Sequence, residues 1–274
     1  QLREGSCKVL DLSAANIDDK LVAELALALS SSDAVTEINL SKNKISSVGG
    51  TALAKALQAP AQLTTLNLYY NCLGPEGGAA VGDALQAASS LTYLNLRSNQ
   101  IRDSAARKVA SALRCMSQLR VLSIGANGLS SAGAIEILAA LQDTPALTEL
   151  DISETPLRTQ GSEYLPKALS FTPNLKSLNV RGCFLSSAAV STLSSLEHLR
   201  DLNVGNCVDM VGATALASAL EGNRALRTLN MDCNPLAGGG GAVVERLLAL
   251  PSLTSLSLSG CFLEEGDCES LARG

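Results

Sequence analysis

Tryptophan is absent from this chain, and only three phenylalanines and four tyrosines occur among its 274 residues. With 46% hydrophobic but 3% aromatic residues, the core must be filled by aliphatic side chains rather than large rings. No stretch approaches the ~20 consecutive apolar residues of a membrane span, and the opening QLREGSCKVL lacks the apolar run of a signal peptide. A basic excess is missing too. The net charge of −5 and pI of about 5.0 carry no electrostatic footprint of a nucleic-acid or anionic-membrane binder, so no nucleic acid is expected as a partner.

Catalytic and metal chemistry lack their parts. No C-x-x-C occurs, and the one histidine, His198, has no matched ligand set. It falls just before a strand, with no nucleophile-elbow motif to serve. The run Gly238 to Gly241 leads into Ala242-Val243-Val244, without the Lys-Ser/Thr that a phosphate loop requires. No catalytic residue, cofactor or metal is therefore expected, and the chain reads as a non-enzyme. It also has no initiator Met, begins its first strand near Cys7 and stops at Ala272-Arg273-Gly274. Because stacked repeats need end caps, the sequence reads as a piece of a longer chain.

What is present is repetition. The segment Leu63 to Leu73, LTTLNLYYNCL, places apolar residues at its first, fourth, sixth and eleventh positions and Asn71 at the ninth. The fourth position recurs at Leu10, Ile38, Leu66, Leu94, Leu122, Leu150, Leu178, Leu202, Leu229 and Leu256, first in six steps of 28 residues, then in steps of 24, 27 and 27. The sixth position runs in parallel from Leu12 to Leu258. Alternation at the fourth and sixth positions predicts a short half-buried strand. Between strands the period becomes helical, with pairs four apart such as Leu53/Leu57, Val81/Leu85 and Val109/Leu113 on one face. Alanines such as Ala52, Ala54 and Ala56 leave room for helices to stack. One such unit cannot bury its own apolar face, so stability must come from its neighbours.

The spacing Leu-x-x-Leu-x-Leu-x-x-Asn/Cys-x-Leu at a 28-residue period resembles the ribonuclease-inhibitor-like subclass of leucine-rich repeats. The resemblance spans essentially the whole chain. It implies an α/β solenoid, or horseshoe, of about ten strand-helix units in one domain, residues 1–274, with parallel strands on the concave face and helices on the convex face. Units are regular to about residue 174 and shorter after it.

Departures from the repeat carry expectations of their own. Pro166 falls inside a predicted helix, where it would break or kink it outside the first turn. Val208-Asp209-Met210 displaces the eleventh-position aliphatic residue and predicts a bulge or loop adjustment. Cys183, Cys207 and Cys261 occupy the ninth position where Asn stands in other units. A buried thiol can fill that slot, so the eight cysteines read as reduced and mostly buried, in a cytoplasmic setting. The sequon Asn39-Leu40-Ser41 lies in a strand, a poor place for a glycan. Acidic pairs such as Asp18-Asp19 begin helices, where carboxylates favour the dipole.

The outward strand positions remain for function. The fifth position forms a polar ladder from Asp11 to Ser257, expected to be held by bonds between neighbouring side chains; the second alternates Thr with Lys or Arg, expected to be a solvated edge. Against these, Tyr69, Tyr70 and Tyr93 fall together with Arg97, Lys42 and Glu37 on adjacent units. Tyr and Arg dominate binding hot spots, so these six residues are the candidate site for a protein or peptide partner. Glu149, Asp151 and Glu154 beside Arg181 read as mutual charge pairing. The function expected is a protein-interaction scaffold. Resemblance also offers a regulator similar to the Ran GTPase activator, with Lys42, Lys44 and Arg97 as early-loop candidates but without an acidic tail, or the sensing arm of a NOD-like receptor.

Overall fold

The computed structural model describes residues 7–30, 32, 34–58 and 62–267. The chain forms two compact units, residues 1–148 and 149–274, built on one plan. In the first, strands β1 (Val9–Asp11), β2 (Glu37–Asn39), β3 (Thr65–Asn67), β4 (Tyr93–Asn95) and β5 (Val121–Ser123) pair in chain order. All are parallel, and Leu10, Ile38, Leu66, Leu94 and Leu122 stand in one row of the register. Helices α1 (Asp19–Leu29), α2 (Ser47–Leu57), α3 (Gly74–Leu85), α4 (Arg102–Leu113) and α5 (Ser131–Ala140) follow them. The second unit repeats this with β6 (Glu149–Asp151), β7 (Ser177–Asn179), β8 (Asp201–Asn203), β9 (Thr228–Asn230) and β10 (Ser255–Ser257), again parallel and in chain order. Its helices are α6 (Arg158–Leu169), α7 (Ser187–Ser191), α8 (Met210–Ala219) and α9 (Gly240–Leu248). The expected strand-helix alternation is thus realised in the first nine repeats.

Each unit buries the residues the period singled out. Ile38, Leu66, Leu94 and Leu122 in the strands and Leu53, Val81, Leu85, Val109 and Leu113 in the helices are fully enclosed. Each such side chain contributes on the order of 1.5–3 kcal/mol by burial. Three-residue strands suffice because the ladder continues beyond them. The sixth-position amide donates to the next unit's fifth-position carbonyl, as Leu40 does to Asn67 at 2.8 Å. The eighth-position amide then donates to the next unit's seventh, as Lys42 does to Tyr69 at 2.7 Å.

The chain then leaves the strand by a fixed device. The fifth-position Asn or Asp side chain accepts the amide of its own seventh residue, as in Asn67 with Tyr69 at 3.1 Å and Asn179 with Arg181 at 3.2 Å. Side-chain bonds between neighbouring fifth positions, the expected ladder, occur beside it, as between Asp11 and Asn39, but the bond to the backbone is the one that recurs. An Asx side chain reaches its own backbone two residues on more readily than a neighbour across a ~4.8 Å strand gap. For Asp11 the bond from the Ser13 amide holds the carboxyl below its usual range. One residue later the backbone turns left-handed in all ten repeats, at Ala14, Lys42, Tyr70, Ser98, Ala126, Glu154, Gly182, Asn206, Cys233 and Gly260.

The ninth position locks this turn. Asn71 donates to the Leu40 and Leu68 carbonyls at 2.9 and 3.0 Å while its Oδ1 accepts the Ile45 amide at 3.1 Å. Cys183 and Cys261 keep one donation, to Ile152 O at 3.3 Å and Met231 O at 3.1 Å. Lacking an acceptor such as Oδ1, these cysteine repeats pass the preceding eleventh-position amide to the cysteine's own carbonyl, as Leu157 does to Cys183 at 2.9 Å. The seven described cysteines are free, but only Cys183, Cys207 and Cys261 are buried; Cys72, Cys115 and Cys233 are exposed. That corrects the expectation of mostly buried thiols, because the exposed three occupy loop or helix-end positions rather than the ladder. The eighth, Cys268, lies outside the described residues.

Helices start on side-chain caps where the sequence supplies them, as Asp18 accepts from the Leu21 amide at 2.9 Å. Asp19 instead reaches the next helix and accepts from the Ser46 amide at 2.7 Å. Glycines set how closely helices approach: a Cβ on Gly82 would meet the backbone of Lys108 and Val109 at 2.9 Å. Pro166 does not break α6, which runs through it to Leu169. Proline forfeits one N–H bond there, while Leu165 and Leu169 on either side remain buried. Near Val208 the loop is shortened: Val208 itself is buried and Asp209 caps α8, accepting from the Gly212 amide at 2.8 Å.

Candidate functional site

The six candidate residues all lie in the first unit, and the structure divides them in two. Glu37 and Tyr93 stand at strand starts, with Thr65 between them in the same register row. Lys42, Tyr69, Tyr70 and Arg97 stand at or just beyond strand ends, four or five positions further along each repeat, about 13 Å or more away at the rise of a strand. Tyr93 is half-buried, and its hydroxyl accepts from Asn95 Nδ2 at 3.4 Å.

The strand-end group is the better defined. Tyr69 and Tyr70 stack obliquely, with ring centroids 5.8 Å apart and planes at 52°. Tyr70 is 61% exposed on a backbone at φ +56°, a conformation that costs a residue with a Cβ about 1–2 kcal/mol. The repeat imposes it: the Tyr70 amide donates to Arg97 O at 3.0 Å, the Lys42 amide to Tyr69 O at 2.7 Å, and Asn71 is pinned on both sides. The ring therefore projects from a fixed base. It forms part of two depressions. One, of about 400 Å³, is lined by Ala14, Asn16, Lys42, Asn43, Lys44 and Tyr69 besides Tyr70. The other, of about 260 Å³, lies among Asn71, Cys72, Ser98 and Gln100.

Asn16, in the tenth position, was not among the candidates, and Lys44, also in the tenth, was one only for the GTPase-activator reading, because a sequence column does not reveal that a left-handed turn brings its eighth and tenth residues to one rim. The tenth position also changes character in the second unit. There it holds Phe184, Pro235 and Phe262, all exposed, and a depression of about 380 Å³ between Phe184, Val208, Cys233 and Pro235. The acidic candidates behave as expected in part: Glu154 pairs with Arg181 at 3.5 Å.

Parallel strands alternating with helices, with Asn or Cys at the ninth position of the turn after eight of the ten strands, define the leucine-rich-repeat architecture. Consistent with this, a family model described as Leucine Rich repeat matches residues 35–54, 62–82 and 87–110, the last two of which carry Tyr69, Tyr70 and Tyr93. Among curated proteins no match is found. No helix among the described residues is long and apolar enough to cross a membrane.

Proposed function

We propose that this protein is a non-enzymatic interaction scaffold, and that a protein or peptide partner docks at the strand ends of the first unit, anchored by Tyr70 and Tyr69. The observation that carries this reading is Tyr70 itself, a large ring more than half exposed on a left-handed backbone. The left-handed turn recurs in every repeat and serves to fix the base of the ring; it is the exposed tyrosine on that base that supports a site, since tyrosine is among the commonest hot-spot residues. Lys42 and Lys44 beside it favour a partner that presents a carboxylate next to an apolar group. Arg97 and Lys42 flank the rings, and Glu37 and Tyr93 extend the surface toward the strand starts. A cytoplasmic setting fits the free thiols of the described residues.

The test is capture from native cell extract with the intact chain, with Tyr69→Ala/Tyr70→Ala and with Tyr93→Ala, followed by titration of the purified partner against each. Loss of Tyr70 is expected to cost about 2 kcal/mol, roughly 30-fold in Kd, with a smaller effect at Tyr93. Equal affinity for the intact chain and the double variant would reject the site.

A further inference from the structure

The second-position column carries a feature that scaffold binding at the tyrosines does not use. In five of the ten repeats this position is threonine, and its hydroxyl donates to the second-position carbonyl of the preceding repeat: Thr64 to Thr36 at 3.0 Å, Thr92 to Thr64 at 3.1 Å, Thr254 to Arg227 at 3.1 Å. The column is therefore a closed hydrogen-bond ladder wherever threonine occupies it. In three consecutive repeats of the second unit it is replaced by Lys176, Arg200 and Arg227. Their backbones keep the ladder, with the Arg200 amide on Lys176 O at 2.7 Å and the Arg227 amide on Arg200 O at 2.8 Å.

Three cations are thus held side by side on strands about 4.8 Å apart, an arrangement in which like charges destabilise a sheet. Arg224 and His198 join them around a depression of about 220 Å³, with Glu197 as its only acidic lining residue. Among the described residues no carboxylate lies within ion-pairing distance of any of the four cationic side chains. The cluster stands out further in a chain whose net charge is −5.

We propose that this depression binds a soluble ligand bearing a diphosphate, or two adjacent phosphate groups. Three guanidinium groups and one ammonium against Glu197 leave three positive charges, which a diphosphate neutralises and a single phosphate does not. Guanidinium groups also offer the paired N–H donors that fit phosphate oxygens. The depression, of about 220 Å³, has room for such a group.

The experiment is isothermal titration of the full chain with sodium pyrophosphate at constant ionic strength, with orthophosphate and sulfate as comparison anions. Parallel melts compare the chain with and without pyrophosphate. Saturable 1:1 binding of pyrophosphate, at least tenfold tighter than either comparison anion, is expected. Arg200→Thr should weaken it at least tenfold while raising the melting temperature of the unliganded protein, because the substitution removes like-charge crowding and restores the hydroxyl bond. Arg227→Gln should weaken binding similarly, and Arg246→Gln, on α9, should leave it unchanged. The proposal is overturned if pyrophosphate binds no better than sulfate, or if Arg200→Thr and Arg227→Gln bind as the parent does. Tenfold tighter binding of a single-stranded RNA oligonucleotide, or of vesicles containing phosphatidylinositol bisphosphate that pyrophosphate fails to displace, would equally overturn it.

Discussion

Replacing Asn127 by alanine tests the ladder on which the first unit rests. Asn127 is fully buried. Its Nδ2 donates to Leu96 O at 2.9 Å and Ile124 O at 2.6 Å, and its Oδ1 accepts the amides of Asn99 at 2.8 Å and Ile101 at 3.4 Å. Alanine strands the Ile124 carbonyl and the Asn99 amide away from water, whereas Leu96 O keeps its bond from Asn99 Nδ2 at 3.0 Å. At ~1–3 kcal/mol for each unsatisfied group, discounted for partial rearrangement, the loss should be about 4 kcal/mol, or roughly 10 °C in Tm for a chain of this size. Cysteine at the same place should cost about 3 kcal/mol by the same reckoning and not be neutral, although cysteine fills this column elsewhere. Its own carbonyl, which rescues the displaced amide in the Cys183 repeat, already accepts from Arg102 at 2.9 Å. Asn99→Ala should cost about 1 kcal/mol less than Asn127→Ala, since the Asn99 Oδ1 has no partner to lose. Urea unfolding followed by circular dichroism reads all three. A loss below ~1 kcal/mol for Asn127→Ala, or an Asn127→Cys variant as stable as the parent, would refute the account.

Further outcomes follow from other parts of the fold. Gly82→Ala places a Cβ 2.9 Å from the backbone of α4; overpacking of ~1–3 kcal/mol should outweigh the helix-propensity gain of at most ~1 kcal/mol, lowering the urea midpoint. Burial raises the thiol pKa of Cys183 and Cys207, so in the native protein at pH 8 iodoacetamide should modify Cys72, Cys115 and Cys233 while sparing these two, as mass mapping would show. The unfolded chain binds fewer protons than the native one above the ordinary thiol pKa. The stabilising contribution is therefore complete below about pH 9 and declines above it, by about 1.4 kcal/mol per pH unit for each thiol, and Cys183→Ala should lessen that slope. Tyr70→Asn, which accepts the left-handed backbone more readily, should raise stability by up to ~1 kcal/mol in a thermal melt while weakening partner binding.

Strands, helices and core were legible because burial at the fourth and sixth positions and at the helix pairs recurs with a period that no other arrangement explains. The short loop at Val208 was legible for the same reason, as a break in a column. Hydrogen-bond direction was not: Asn67 could equally have bonded Asn39 or the Tyr69 amide, and only the turn geometry decides. Pro166 misled because proline's lost bond is local, whereas the burial of Leu165 and Leu169 that holds α6 together comes from the fold. Of the candidate surface, the sequence grouped six residues by column and unit. It could not show that Glu37 and Tyr93 stand at the opposite end of the strands from Tyr70, since outward positions share a face without sharing a place on it. The second-position cations were visible as residues, yet their meaning depends on the threonine bonds they replace.

The left-handed residue after every strand has a practical consequence. Its conformation is fixed by bonds from its own amide and from its neighbours' side chains, so the fold makes no demand on what that residue carries. Alanine, lysine, tyrosine, serine, glutamate, asparagine, cysteine and glycine all occupy it here. The chain thereby offers a row of addressable sockets on a constant frame, where chemistry can be exchanged one repeat at a time without redesigning the scaffold that presents it.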